Sequence, residues 1–152
     1  MSFGPRRLGT FLIVLVVPVL PIGGQASRTP RQIDVVANDY TFLPLPPDIN
    51  AGPTVFTFVN QGKVMHEVNL VRLKPGVTLA DFVNPAHDAF QRRELIDRSV
   101  GVLYAGPANA PDGRLLVELV KGSTYVAYCV FRDTPNAPPH LTLGMYTSFK
   151  PR

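Results

Sequence analysis

The chain has one cysteine, no tryptophan and only three histidines among its 152 residues. A single thiol cannot close an internal disulfide, so Cys129 needs another chemical role. Basic runs are missing as well. The formal net charge is +4, but without Arg6 and Arg7 thirteen basic residues face eleven acidic ones, a balance of about +2. No stripe of Lys and Arg is left to track a phosphate backbone, and Arg92-Arg93 reads as a solvated helix face, so nucleic acid is excluded as a partner. The chain also lacks an HExxH pair, a nucleophile elbow and a phosphate-binding glycine loop, which removes the common hydrolase and nucleotide-binding classes.

Long hydrophobic runs are confined to one place. The apolar stretch from Leu8 to Ile22 follows Arg6-Arg7 and contains Pro18 and Pro21. It is shorter than the roughly twenty apolar residues that a membrane-spanning helix needs. Gly24-Gln25-Ala26 then places small residues where a signal peptidase reads them. The reading is a cleaved signal peptide over residues 1–26 and one domain over residues 27–152, exported to the periplasm or the extracellular space. An uncleaved leader would tether the same domain to a membrane, the one circumstance in which membrane contact is expected. About 126 residues suffice for one domain with a real core.

What is present is a series of short β-type segments separated by turn residues. Gln32 to Ala37, Asp39 to Leu43, Thr54 to Val59, Met65 to Leu73, Val100 to Tyr104, Arg114 to Val120, Tyr125 to Phe131 and Leu141 to Phe149 all read as extended. Thr54–Val59 and Met65–Leu73 look like a hairpin pair across Asn60-Gln61-Gly62. Thr78-Leu79-Ala80-Asp81 has the form of a capping box, and opens a helical insertion that runs, with a break near Pro85, to Leu95. The pattern predicts an all-β, antiparallel Greek-key β-sandwich with one short helical insertion.

Four side chains carry the chemistry. Cys129 is followed by His140 and Met145, and His66 stands at the start of an upstream strand. One thiolate, two imidazoles and one thioether make the His₂Cys set with a weak axial Met that suits copper in electron transfer. His87, in the polar insertion, reads as a surface or satisfied core residue, and Met65 as a packing residue on the strand face opposite His66. Core filler is the alternative role for Met145.

Two blocks, Phe58-Val59-Asn60 with Met65-His66-Glu67-Val68, and Gly122 to Cys129 with Pro139-His140 and Gly144-Met145, resemble the cupredoxins, the blue-copper family that includes plastocyanin. The resemblance implies one type 1 copper per chain, with His66, Cys129 and His140 as strong ligands and Met145 as the long axial one. It implies a monomer that carries single electrons between redox protein partners, acts on no substrate and is not an enzyme. A copper enzyme would need further histidines for a second copper, and His66, His87 and His140 are the whole supply. A module that sequesters, delivers or senses copper is the alternative use of the same ligands. The chain departs from plastocyanin-like members in its long, proline-rich segment between Cys129 and His140 and in its helical insertion. Glu67 stands where those members carry an asparagine that orders the cysteine loop. The apolar run Ala137-Pro138-Pro139-His140-Leu141 is expected to bring His140 to the surface as the electron exit.

Overall fold

The computed structural model describes Met1 and residues 29–152; apart from Met1, the expected leader over residues 1–26 lies outside the described residues. Among the described residues eight strands form two four-stranded sheets: β1 (Arg31–Asn38), β2 (Thr41–Phe42), β3 (Gly52–Asn60), β4 (His66–Leu73), β5 (Ile96–Ala105), β6 (Leu115–Leu119), β7 (Tyr125–Tyr128) and β8 (Tyr146–Phe149). The first sheet has the order β2-β1-β3-β6 and the second β5-β4-β7-β8. Alternation explains the sandwich directly. In β3 the residues Thr54, Phe56, Phe58 and Asn60 point inward while Val55, Thr57 and Val59 do not.

The expected sandwich stands, with three corrections. The first sheet is mixed, because β1 and β3 run parallel from Arg31 opposite Thr54 to Ala37 opposite Asn60. The segments expected to form a hairpin, β3 and β4, belong to opposite sheets. The crossing between them is held by the Asn60 side chain. Its Nδ2 donates to the carbonyls of Val64 (2.8 Å) and Gly106 (2.9 Å), and its Oδ1 accepts from the Gly62 N–H (2.8 Å). Finally, Leu141 to Phe149 is not one strand. Pro139 opens a 3-10 turn over His140–Leu143, Gly144 closes it in the left-handed region at φ 101°, and only Tyr146–Phe149 pairs in the sheet.

The main core lies between the sheets and includes Ile33, Val35, Phe56, Phe58, Val68, Leu70, Leu119 and Tyr125, together with Cys129 and Met145. Tyr125 stacks on Phe149 at 5.2 Å and accepts the Val120 N–H at its hydroxyl (3.0 Å), which fixes a strand corner.

A bulge between Leu70 and Val71 turns the end of β4 over, so that Val71 and Leu73 face the outside of the second sheet. The insertion covers them. Its helices α1 (Leu79–Phe82) and α2 (Ala89–Glu94) each carry a capping box, Thr78 with Asp81 and Asp88 with Gln91. Phe82, fully buried, seals this smaller cluster with Val71, Leu73 and Val126. Among the described residues no helix is long and apolar enough to cross a membrane.

Candidate metal centre

Three of the four expected ligands meet at one end of the sandwich. His66 is the first residue of β4, Cys129 follows the last residue of β7, and His140 opens the 3-10 turn. Their donor atoms lie within 4.8 Å of one another, and all three residues are buried. His66 Nδ1 and His140 Nδ1 are 3.1 Å apart, and Cys129 Sγ is 3.4 Å from His140 Nδ1.

Backbone hydrogen bonds set this convergence. The His140 N–H donates to the Phe131 carbonyl (2.9 Å) and the Leu141 N–H to the Cys129 carbonyl (2.7 Å), which closes the base of the segment between them. Within that segment the Ala137 N–H donates to Thr134 (3.0 Å), and the Arg132 guanidinium donates to the Ala137 carbonyl. Met145 is fully buried in the same core cluster as Cys129. Its N–H donates to the His140 carbonyl (3.0 Å) and its carbonyl accepts the Cys129 N–H (3.2 Å), so its backbone ties the two ligand segments together.

Glu67 takes over the place of the expected asparagine. Its backbone N–H points at Cys129 Sγ (3.4 Å), and its carboxylate accepts the Val130 N–H (3.1 Å). The bond that orders the cysteine loop is therefore made by a largely buried anion rather than by an amide.

The outer sides of the two imidazoles involve residues that the motif reading passed over. Tyr40 sits in the two-residue turn between β1 and β2 and is edge-on to His140 (centroids 5.0 Å) and His66 (6.2 Å). Its hydroxyl donates to Asp133 Oδ2 (2.5 Å), and Asp133 Oδ1 lies 3.1 Å from His140 Nε2. The Tyr40 hydroxyl, followed by the His140 contact, holds the Asp133 carboxyl below its ordinary range. An ionised carboxylate only accepts, so Nε2 of His140 is the protonated nitrogen and the lone pair of Nδ1 points inward. On the other side, His66 Nε2 is 3.8 Å from Asp39 Oδ1 and has no hydrogen-bond partner. Gly62 lies against this edge. A Cβ there would stand 2.5 Å from Asp39 Oδ1 and 3.1 Å from His66 Nε2.

His140 is 1% exposed and Leu141 3%. The expectation that the apolar run carries His140 to the surface is therefore corrected: Tyr40 and Asp133 cover it. Met65, expected to pack, is 50% exposed just ahead of β4. His87 is half-buried in the link between the helices, apart from the three-residue cluster.

The electrostatics favour neutral donors. Burial, and then the neighbouring His140, pull the His66 pKa down. Burial pushes the Cys129 thiol up to about 11 against the N–H groups of Glu67 and Phe131, which pull it down. Two imidazole nitrogens and a thiol crowd together in a buried site with no positive charge between them. A cation with affinity for imidazole and thiolate fits this donor set, and taking it up releases the thiol proton.

No family model and no curated relative matches the chain. Solved structures do. Auracyanin B is 19% identical with a TM-score of 0.54, over 82% of this chain and 91% of that one. Auracyanin A from Chloroflexus aurantiacus is 18% identical with a TM-score of 0.51, over 82% of this chain and 100% of that one. Dithionite-reduced auracyanin from Roseiflexus castenholzii is 16% identical with a TM-score of 0.50, over 80% and 96%. The fold is the cupredoxin fold. On this cupredoxin scaffold the three-donor cluster occupies the loop end of a packed sandwich, where two strand ends and one turn fix its members.

Proposed function

We propose that the chain is an exported type 1 copper protein that carries single electrons between redox protein partners. One observation carries the reading: two imidazole Nδ1 atoms and one thiol converge within 4.8 Å in a fully buried site on a rigid sandwich. Auracyanin A, which shares the fold, is a blue copper protein, and this supports copper as the metal. Copper supplies the one-electron chemistry through its Cu(II) and Cu(I) states.

The chain's own residues supply the rest. His66, Cys129 and His140 bind, with Met145 as a weak axial donor. Each binding residue is anchored by neighbours: Asn60 pins the crossing into His66, Glu67 orders the loop after Cys129, and the Met145 backbone joins Cys129 to His140. An anchored donor set moves little when its charge changes, and small movement makes electron transfer fast. Complete burial of all three donors excludes water and speaks against a delivery module, which needs an open side for handing its metal over. With only His87 outside the set, no further histidines remain for a substrate-binding copper, which favours an electron carrier over a copper enzyme of that kind. The N-terminal pattern supports export, and a single small domain supports a monomer.

The test is spectroscopic. Purified protein loaded with Cu(II) should bind one copper per chain and show an intense visible band from thiolate-to-copper charge transfer, and Cys129→Ser should abolish the band. A wild-type protein that binds one copper without colour would sink the reading.

A further inference from the structure

We infer that Asp133, locked in place by Tyr40, is the positioning residue that aims His140 at the metal, an inference that rests on the copper reading above. The geometry has three parts. Asp133 Oδ1 is 3.1 Å from His140 Nε2, so the ring is held at the nitrogen opposite its binding atom. Asp133 Oδ2 accepts the Tyr40 hydroxyl at 2.5 Å across 93 residues of chain, so the carboxylate is itself gripped from another element. Tyr40 then lies edge-on against the same imidazole, which confines the ring in the remaining direction.

Backbone strain is the independent sign that this arrangement has a purpose. Tyr40 has φ 60°, in the left-handed region that a bulky side chain rarely enters. Glycine or asparagine would fit the β1–β2 turn with less strain, but neither could reach Asp133. Such strain persists where the surrounding structure holds it, and here it delivers an aromatic hydroxyl to the outer edge of a candidate ligand. A histidine that binds a metal through one nitrogen is oriented through the other, and a carboxylate partner also makes the imidazole a better donor.

The pair also closes the site. His140 is 1% exposed because Tyr40 and Asp133 stand between it and solvent. An electron leaving along this side crosses the Tyr40–Asp133 pair rather than a bare imidazole edge.

The experiment compares full-length wild-type protein with Asp133→Ala, Asp133→Asn, Tyr40→Phe and the Asp133→Ala/Tyr40→Phe double variant. Each is measured by chelator competition for Cu(II), by paramagnetic resonance and by voltammetry, with melting of the copper-free forms as the fold control. Asp133→Ala should weaken Cu(II) binding about 10- to 100-fold, change the copper hyperfine splitting and raise the potential. Tyr40→Phe keeps the carboxylate charge, so it should weaken binding and change the splitting to a smaller degree without raising the potential, and the double variant should bind no worse than Asp133→Ala, because Tyr40 acts through Asp133. Asp133→Asn keeps an acceptor oxygen and should recover the spectrum and most of the affinity, while the potential stays raised for want of the charge.

Wild-type affinity, spectrum and potential in Asp133→Ala would overturn the inference, as would additive losses in the double variant. Should Asp133→Ala fail to fold, Asp133→Asn against Tyr40→Phe makes the same comparison, and wild-type behaviour in both overturns it. A colourless wild type defeats the copper reading; a blue wild type with an indifferent Asp133→Ala defeats this inference alone.

Discussion

The Glu67 backbone N–H lies 3.4 Å from Cys129 Sγ while the Glu67 carboxylate accepts the Val130 N–H at 3.1 Å, so one residue holds the cysteine at its sulfur and at the peptide that follows it. The carboxylate charge adds to the burial that raises the thiol pKa. Once a cation is bound, the same charge favours the state with the higher positive charge. Glu67→Gln keeps an acceptor for Val130 and removes the charge, so the fold should persist and voltammetry should show a raised potential. Glu67→Ala leaves the Val130 N–H without its partner and should cost about 1–3 kcal/mol in denaturant unfolding.

Met145 separates an axial ligand from a packing residue. A thioether favours Cu(I) and an amide oxygen favours Cu(II), so Met145→Gln should lower the reduction potential while Met145→Leu raises it. If the fully buried Met145 only packs, Gln instead costs about 1–3 kcal/mol as an unpaired buried amide, and Leu is near neutral. Potentials that fail to move in opposite directions, together with a destabilised Gln variant, would reduce the ligand set to three.

Gly62 is held to its size by contact rather than by backbone angle. A methyl group there meets Asp39 Oδ1 at 2.5 Å, the Asp39 backbone nitrogen at 3.1 Å and His66 Nε2 at 3.1 Å. Gly62→Ala should therefore push the β1–β2 turn away from His66 and destabilise the protein by about 1–3 kcal/mol, as overpacking of a tight contact does. Melting temperature and Cu(II) affinity should fall together. Loss of stability with unchanged affinity would show that His66 does not depend on this contact.

The metal-free protein should have a stability plateau to which two of the candidate ligands contribute one limb each. The folded pKa of His66 lies below its ordinary 6.5, so the unfolded chain binds the proton more readily. Stability from this residue is complete above about pH 6.5 and is lost as the pH falls toward the folded value. Cys129 has the opposite sign: its pKa rises from 9.0 to about 11, so the unfolded chain ionises first and stability is lost as the pH climbs through that interval. Melts of copper-free protein across this range should show both limbs. His66→Gln should flatten the acid limb and Cys129→Ser the alkaline one.

Much of this was legible in the residues. Period-two alternation in Thr54–Phe58 and Gln32–Ala37 announces half-buried strands, because a pleated strand sends successive side chains to opposite faces. Thr78 with Asp81 announces a helix start, because the side chains satisfy the free N–H groups locally. Cys129, His140 and Met145 lie close enough in sequence for their chemistry to be read as a set. Each of these signals depends on neighbours along the chain.

Tertiary structure decided what depends on neighbours in space. Whether β3 pairs with β4 or crosses to the other sheet is settled by Asn60 reaching Val64 and Gly106, contacts in which no local pattern competes. That Leu141–Leu143 turns rather than extends follows from Pro139 and Gly144 acting with the His140 and Cys129 backbone bonds. Tyr40 and Asp133 are 93 residues apart and belong to no motif, yet they meet over His140 because the β1–β2 turn and the cysteine loop share one end of the sandwich. From the residues alone come a β-rich domain and one candidate donor set. Only the packing of two sheets decided that His140 lies beneath a tyrosine and a carboxylate instead of at the surface, since burial is a property of the whole assembled fold and not of the segment that carries the residue.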